Sequence, residues 1–101
     1  MLREFFAGFF IFNSLPHLVQ GISGKTHMTP FKRISSPVLN IIWSFINLFI
    51  GVLLIGFSAS GQLKQPAGLN FWSFFIGGFI VAIVAAKLFG KPNARLPWHK
   101  D

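Results

Sequence analysis

The sequence contains no cysteine, which removes disulfide frameworks, thiol catalysis and Cys-ligated metals and leaves no mark of redox compartment. It has only two carboxylates, Glu4 and Asp101, at opposite ends of 101 residues. A paired general acid and base needs two such groups side by side, so this placement argues against one. Charged residues of every kind make up 11%, against about 25% in a soluble domain. That is too few to coat a surface facing water. There is no P-loop and no H-E-x-x-H, and Gly21-Ile22-Ser23-Gly24 does not fit a G-x-S-x-G elbow. The expectation is a chain that is not an enzyme, with no catalytic residue, metal or cofactor.

What is present is apolar. Hydrophobic residues make up 52% of the chain, 14 residues are Phe, and the mean hydropathy is +0.62. The length allows one domain. Three runs, at 5–22, 38–57 and 69–89, are each close to the ~20 residues that cross a bilayer as helix. The fold class expected is therefore all-α: an integral membrane protein with three transmembrane helices. The first run carries a basic lead residue, Arg3, but no small-x-small cleavage pattern follows it, so it is expected to be retained. The loop 23–37 contains Gly24, Pro30 and Pro37 as helix breakers, with Ser35 or Ser36 as the cap of the second helix. Its mixture of Lys25, Lys32 and Arg33 with Met28, Phe31 and Ile34 suits the headgroup level of a membrane. The tail 90–101, with two prolines, is expected to hold little regular structure.

Nine Lys and Arg against two acidic residues give a net charge of +7. No soluble basic face can be drawn, so nucleic acid is not an expected partner. Three spans place Arg3 and Lys64 on one side, and Lys25, Lys32, Arg33, Lys87, Lys91, Arg95 and Lys100 on the other. Basic residues concentrate on the cytoplasmic side, which predicts the N-terminus out and the C-terminus in. Lys25, Lys32, Arg33, Lys91 and Arg95 become the candidate headgroup contacts, with membrane lipids as partners. Trp43, Trp72 and Trp98 read as interface anchors.

Within the spans, polar residues fall in register. At 100° per residue Asn13, His17 and Gln20 lie within about 60° of one another on the first helix, and Asn40, Ser44, Asn47 and Gly51 share a face of the second. The two helices run antiparallel, so equal depths pair Asn13 with Asn47, His17 with Ser44, and Gln20 with Asn40. Hydrogen bonds and small-residue contacts associate helices in lipid, where hydrophobicity does not. Pro16 removes a donor and disturbs the Phe12 carbonyl, so the helix should bend there or find a polar neighbour in Ser14, the Asn13 amide or a water. On the third helix Ser73 and Gly77, and Gly78, Ala82 and Ala86, form small-xxx-small rows that allow close approach, within the chain or between protomers.

His17 has four readings: a bridge between helices, a proton relay, a metal ligand or a headgroup contact. It lacks an intramembrane carboxylate, which favours the bridge. The polar stripe of the second helix reads as packing glue or as the lining of an aqueous path. The Phe residues read as lipid-facing surface or as an apolar lipid or quinone pocket.

The string Asn13…Pro16-His17…Gly21…Gly24…Thr29-Pro30-Phe31…Ser36-Pro37…Asn40…Trp43…Asn47…Gly51 resembles a group of small bacterial integral membrane proteins, and is similar to DoxX-like proteins. The resemblance spans about the first half of the chain and implies a bacterial inner membrane. Some DoxX-like proteins are linked to quinone-coupled redox chemistry, and they generally have four helices. This chain departs from them in its three spans and its basic tail, and no catalytic residue carries over.

The functional expectation is a non-enzymatic inner-membrane subunit or modulator, binding a lipid-like molecule beside His17 and associating with itself or with a larger membrane protein. Its alternatives are a holin-like oligomeric pore and a DoxX-like quinone-linked helper.

Overall fold

The computed structural model describes residues 2–90 and 96–98. They form three α-helices, α1 (Leu2–Ile22), α2 (Pro37–Ile55) and α3 (Leu69–Phe89). No β-strand occurs among the described residues; extended pairing is limited to isolated bridges at His27–Ser35 and Phe57–Leu63. All three helices are long and apolar enough to cross a membrane. Their 21, 19 and 21 residues correspond to about 28–32 Å of helix, close to the ~30 Å hydrocarbon thickness.

The helix ends follow from local chemistry. Ser36 is the N-cap of α2: its hydroxyl accepts from the Leu39 amide at 3.1 Å, and Pro37 supplies the first helical position. α2 stops at Ile55, two residues before the expected end, because Gly56 takes φ +85° and turns the chain away. Arg3 then reaches across from α1 and donates through Nε to the Leu54 carbonyl at 2.9 Å. A cation placed on the last carbonyls of a helix is favourable. α1 begins three residues earlier than expected and continues without a break through Pro16.

α1 lies between the other two helices and packs on both, while α2 and α3 do not pack on each other among the described residues. Its two seams differ in kind. The seam with α2 is polar, burying Ser14 and His17 against Asn40, Ser44 and Asn47. The seam with α3 is one of close backbones. A methyl added at Gly77 would strike the Phe5 carbonyl, and one at Gly8 the Phe74 carbonyl. Phe12 lies over Gly78, with its ring 5.9 Å from that of Phe74. Buried residues without large side chains let the helices approach this far. Of the small-residue rows, Gly77 and Gly78 meet α1, Ser73 is half-buried, and Ala82 and Ala86 remain exposed. Gly51 sits against α1, where a methyl would strike Ile11 and lie 3.0 Å from the Ala7 carbonyl.

Among the described residues, buried apolar side chains are few: Ala7, Met28, Ile55 and Val81. Phe45, Phe49, Leu53, Phe79 and Val84 point outward, each more than half exposed. In water this inversion would be ruinous; in lipid the outward faces need no cover.

Candidate functional site: a polar seam closed by a folded-back loop

The centre of the seam is the Asn40 side chain, which is completely buried. Its Nδ2 faces three backbone carbonyls, His27 at 3.0 Å, Ser35 at 3.2 Å and Ser36 at 3.1 Å. Carbonyls only accept, so this end of the amide must be the donor and Oδ1 must be the end turned to α1. Oδ1 lies 2.9 Å from His17 Nδ1. An amide oxygen also only accepts, so His17 carries its proton on Nδ1. In the neutral ring Nε2 is therefore a lone pair.

The same reasoning orients the next pair. Asn47 Nδ2 donates to the Trp43 carbonyl at 2.8 Å, so its Oδ1 is the atom that accepts from Asn13 Nδ2 at 3.0 Å. Asn13 and Asn47 thus meet at the expected depth. His17, however, pairs one turn away from its expected partner, with Asn40 instead of Ser44. Ser44 satisfies its own hydroxyl on the Ile41 carbonyl at 2.8 Å, a local bond open to any helical serine. Asn40, with its donors held by the loop, presents an oxygen that only another chain segment can satisfy. Gln20 is half-buried, and its side chain takes no part in this network among the described residues. Ser14 donates to the Ile11 carbonyl at 2.5 Å and Asn13 to Asn47; among the described residues neither bonds the Phe12 carbonyl beside Pro16.

The loop between α1 and α2 folds back over this end of the seam. His27 and Ser35 exchange backbone hydrogen bonds of 3.3 and 3.2 Å. Thr29 Oγ1 accepts from the Phe31 and Lys32 amides and lies 2.7 Å from Ser35 Oγ. Met28, Thr29 and Ser35 are buried as a result. The centre of this segment, expected at headgroup level, packs onto the helices, while Lys25, Phe31, Lys32 and Ile34 are exposed and Arg33 is half-buried. Lys91 and Arg95 lie outside the described residues. Ser-Ser-Pro and Thr-Pro are turn signals, but they do not reveal that the turn would pack on His17.

Folding the loop back brings the two histidines together. Their ring centroids are 5.1 Å apart, and His27 lies 4.3 Å from the Phe89 ring of α3. His27 Nε2 is buried without a hydrogen bond among the described residues. Burial, reinforced by the nearby His17, pushes the His27 imidazole below its usual pKa. Among the described residues no three His, Cys, Asp or Glu cluster in a way that holds a metal.

Two cavities flank the seam. One, of about 140 Å³, lies beneath the loop and is lined by His17, Asn13, Thr29, Met28, Trp43 and Phe89 among others. The second, of about 250 Å³, runs between α1 and α3 and is lined by Phe12, Asn13, Pro16, Val81, Ala82 and Ala85, with Leu15 at its side. Its walls are apolar apart from Asn13. Phe89 and the loop threonine were not among the candidate residues from sequence; an aromatic at the end of an apolar span carries no distinguishing signal.

The geometry describes a three-helix chain suited to a membrane, with one polar seam and a small aromatic-walled cavity at its end. No protein-family model, curated protein sequence or solved structure matches the chain.

Proposed function

We propose that this chain is a small non-enzymatic protein of a bacterial inner membrane, a subunit or modulator of a larger assembly that holds a lipid-like ligand beside His17. Its N-terminus lies outside and its C-terminus inside, an orientation supported by the excess of Lys and Arg on the loop and tail side. The observation that carries the reading is the cavity beneath the loop. It combines a hydrogen-bonding imidazole with aromatic and thioether walls, the mixture by which small-molecule sites are made. The wide apolar outer faces of α2 and α3 are suited to lipid or to a second membrane protein.

The alternative of a holin-like pore requires the stripe of α2 to face a shared lumen. Asn40, Ser44 and Asn47 are 0–2% exposed and are bonded within the chain, which supports packing and ligand holding over a water path. Native mass spectrometry of the protein ejected from its own membrane vesicles tests the reading. A heteromer, or a homo-oligomer carrying a lipid-mass adduct, is expected. A quinone-mass adduct would favour the DoxX-like alternative. A partnerless chain free of adducts would overturn the proposal.

A further inference from the structure

The two cavities beside the seam share one wall residue, Asn13. The smaller, at the loop end of α1, sets the side chains of Asn13, His17 and Thr29 among apolar and aromatic walls. The larger is apolar and follows α1 and α3 toward mid-membrane, from Pro16 and Ala85 to Phe12 and Val81. From these features we infer that the pair is one site for a single-chain lipid with an uncharged hydroxyl head, the head at His17 and the tail between α1 and α3. The ligand class deepens, and depends on, the ligand-holding role proposed above.

The polarity of the head follows from the hydrogen bonds. Asn40 fixes a His17 proton on Nδ1, so in the neutral ring Nε2 meets a ligand as an acceptor and selects a donor. A hydroxyl is such a donor; an ester or a carboxylate is not. Asn13 keeps a second amide hydrogen beyond the one it gives to Asn47, which matches the oxygen of a second hydroxyl or of an ester. Among the described residues no Lys, Arg, Asp or Glu lines either cavity. A charged head would therefore enter without a counter-charge, at considerable desolvation cost.

Size sets the rest. At about 30 Å³ for each water-sized group, the head cavity of about 140 Å³ holds about five such groups, the scale of a glycerol. The tail cavity of about 250 Å³ holds about eight by the same measure, enough for part of one acyl chain and not for two. A monoacylglycerol has this form.

The test uses the full chain in detergent micelles, titrated with 1-monooleoylglycerol, oleate and lyso-oleoylphosphatidylcholine, with bound mass read by native mass spectrometry. The three probes share a chain and differ in the head. Monooleoylglycerol is expected to bind about tenfold more tightly than the anionic oleate or the zwitterionic lysophosphatidylcholine. His17→Asn keeps an N–H for Asn40 and removes the Nε2 acceptor, so it should weaken binding about fivefold to tenfold, the scale of one hydrogen bond. Ala82→Phe changes an exposed position, fills the tail cavity and leaves His17 untouched; it should cause a similar loss.

Equal binding of the three lipids, or unchanged binding in both variants, overturns the assignment. A lipid adduct on protein from its own membrane, with none of the three probes bound, rejects the hydroxyl head and leaves the ligand-holding role intact. No adduct in either experiment rejects both.

Discussion

Replacing Asn40 with Leu should unfasten the loop from the helices. The amide makes one bond to His17 and points its two hydrogens at three carbonyls, so about three hydrogen bonds are lost. At a net value of about 1 kcal/mol each in water-soluble proteins, or about 0.6 kcal/mol in membranes, the loss is about 2–3 kcal/mol. The carbonyls of His27, Ser35 and Ser36 each keep a backbone partner, from Ser35, His27 and Asn40 respectively. The group left without a partner is the His17 Nδ1–H, which adds about 1–3 kcal/mol when buried. Some of this is offset by the apolar Leu, so the expected total is about 2–4 kcal/mol.

Unfolding in mixed micelles, followed by Trp fluorescence, measures that total. Hydrogen exchange at the His27 and Ser35 amides reports the loop separately, and should rise while protection in α3 is unchanged. Asn40→Asp is the decisive companion: a carboxylate nearly matches the amide in shape but offers no donor to the three carbonyls. It should destabilise at least as much as Leu. A Leu variant within about 0.5 kcal/mol of wild type, with loop protection intact, would refute the reasoning, since buried network bonds cannot be lost at so small a cost.

The α1–α3 seam makes the opposite prediction for small residues. Gly77→Ala places a methyl against the Phe5 backbone and should cost about 1–3 kcal/mol by overpacking, whereas Ala86→Leu, at an exposed site, should be near neutral in the same unfolding assay. Gly56→Ala must hold φ +85° and displace the Arg3 guanidinium, 2.7 Å from where the methyl would stand; a loss of about 1–2 kcal/mol is expected from the left-handed backbone alone. The depressed His27 pKa means that the unfolded chain binds this proton more readily than the folded one. Stability is therefore full above about pH 6.5 and falls as pH drops below it. Unfolding midpoints at pH 7.5 and 5.5 should differ in that sense, and less so in His27→Asn; a midpoint that rises on acidification contradicts the assignment.

Much of the architecture could be read directly from the residues. Three charge-poor runs of about membrane length, separated by Gly and Pro, leave the backbone no alternative to helix in hydrocarbon, because every N–H and C=O must be satisfied within the span. The polar stripes were equally visible, since a 100° repeat places Asn13 with His17, and Asn40 with Asn47, on single faces. The pairing of Asn13 with Asn47 needed only antiparallel helices and equal depth.

The closing of the site belongs to the tertiary structure. Which acceptor His17 meets depends on how the loop carbonyls hold Asn40, and those carbonyls come from His27, Ser35 and Ser36, residues whose own order reads only as turn. That Gly77 rather than Ala82 meets α1 depends on the relative rotation of two helices, which a row of small residues permits in more than one setting. Periodicity along one helix determines which residues share a face; it carries no information about which neighbour that face finds. The choice is made by packing, where a methyl at Gly77 or a lost carbonyl partner at Asn40 is enough to decide between arrangements.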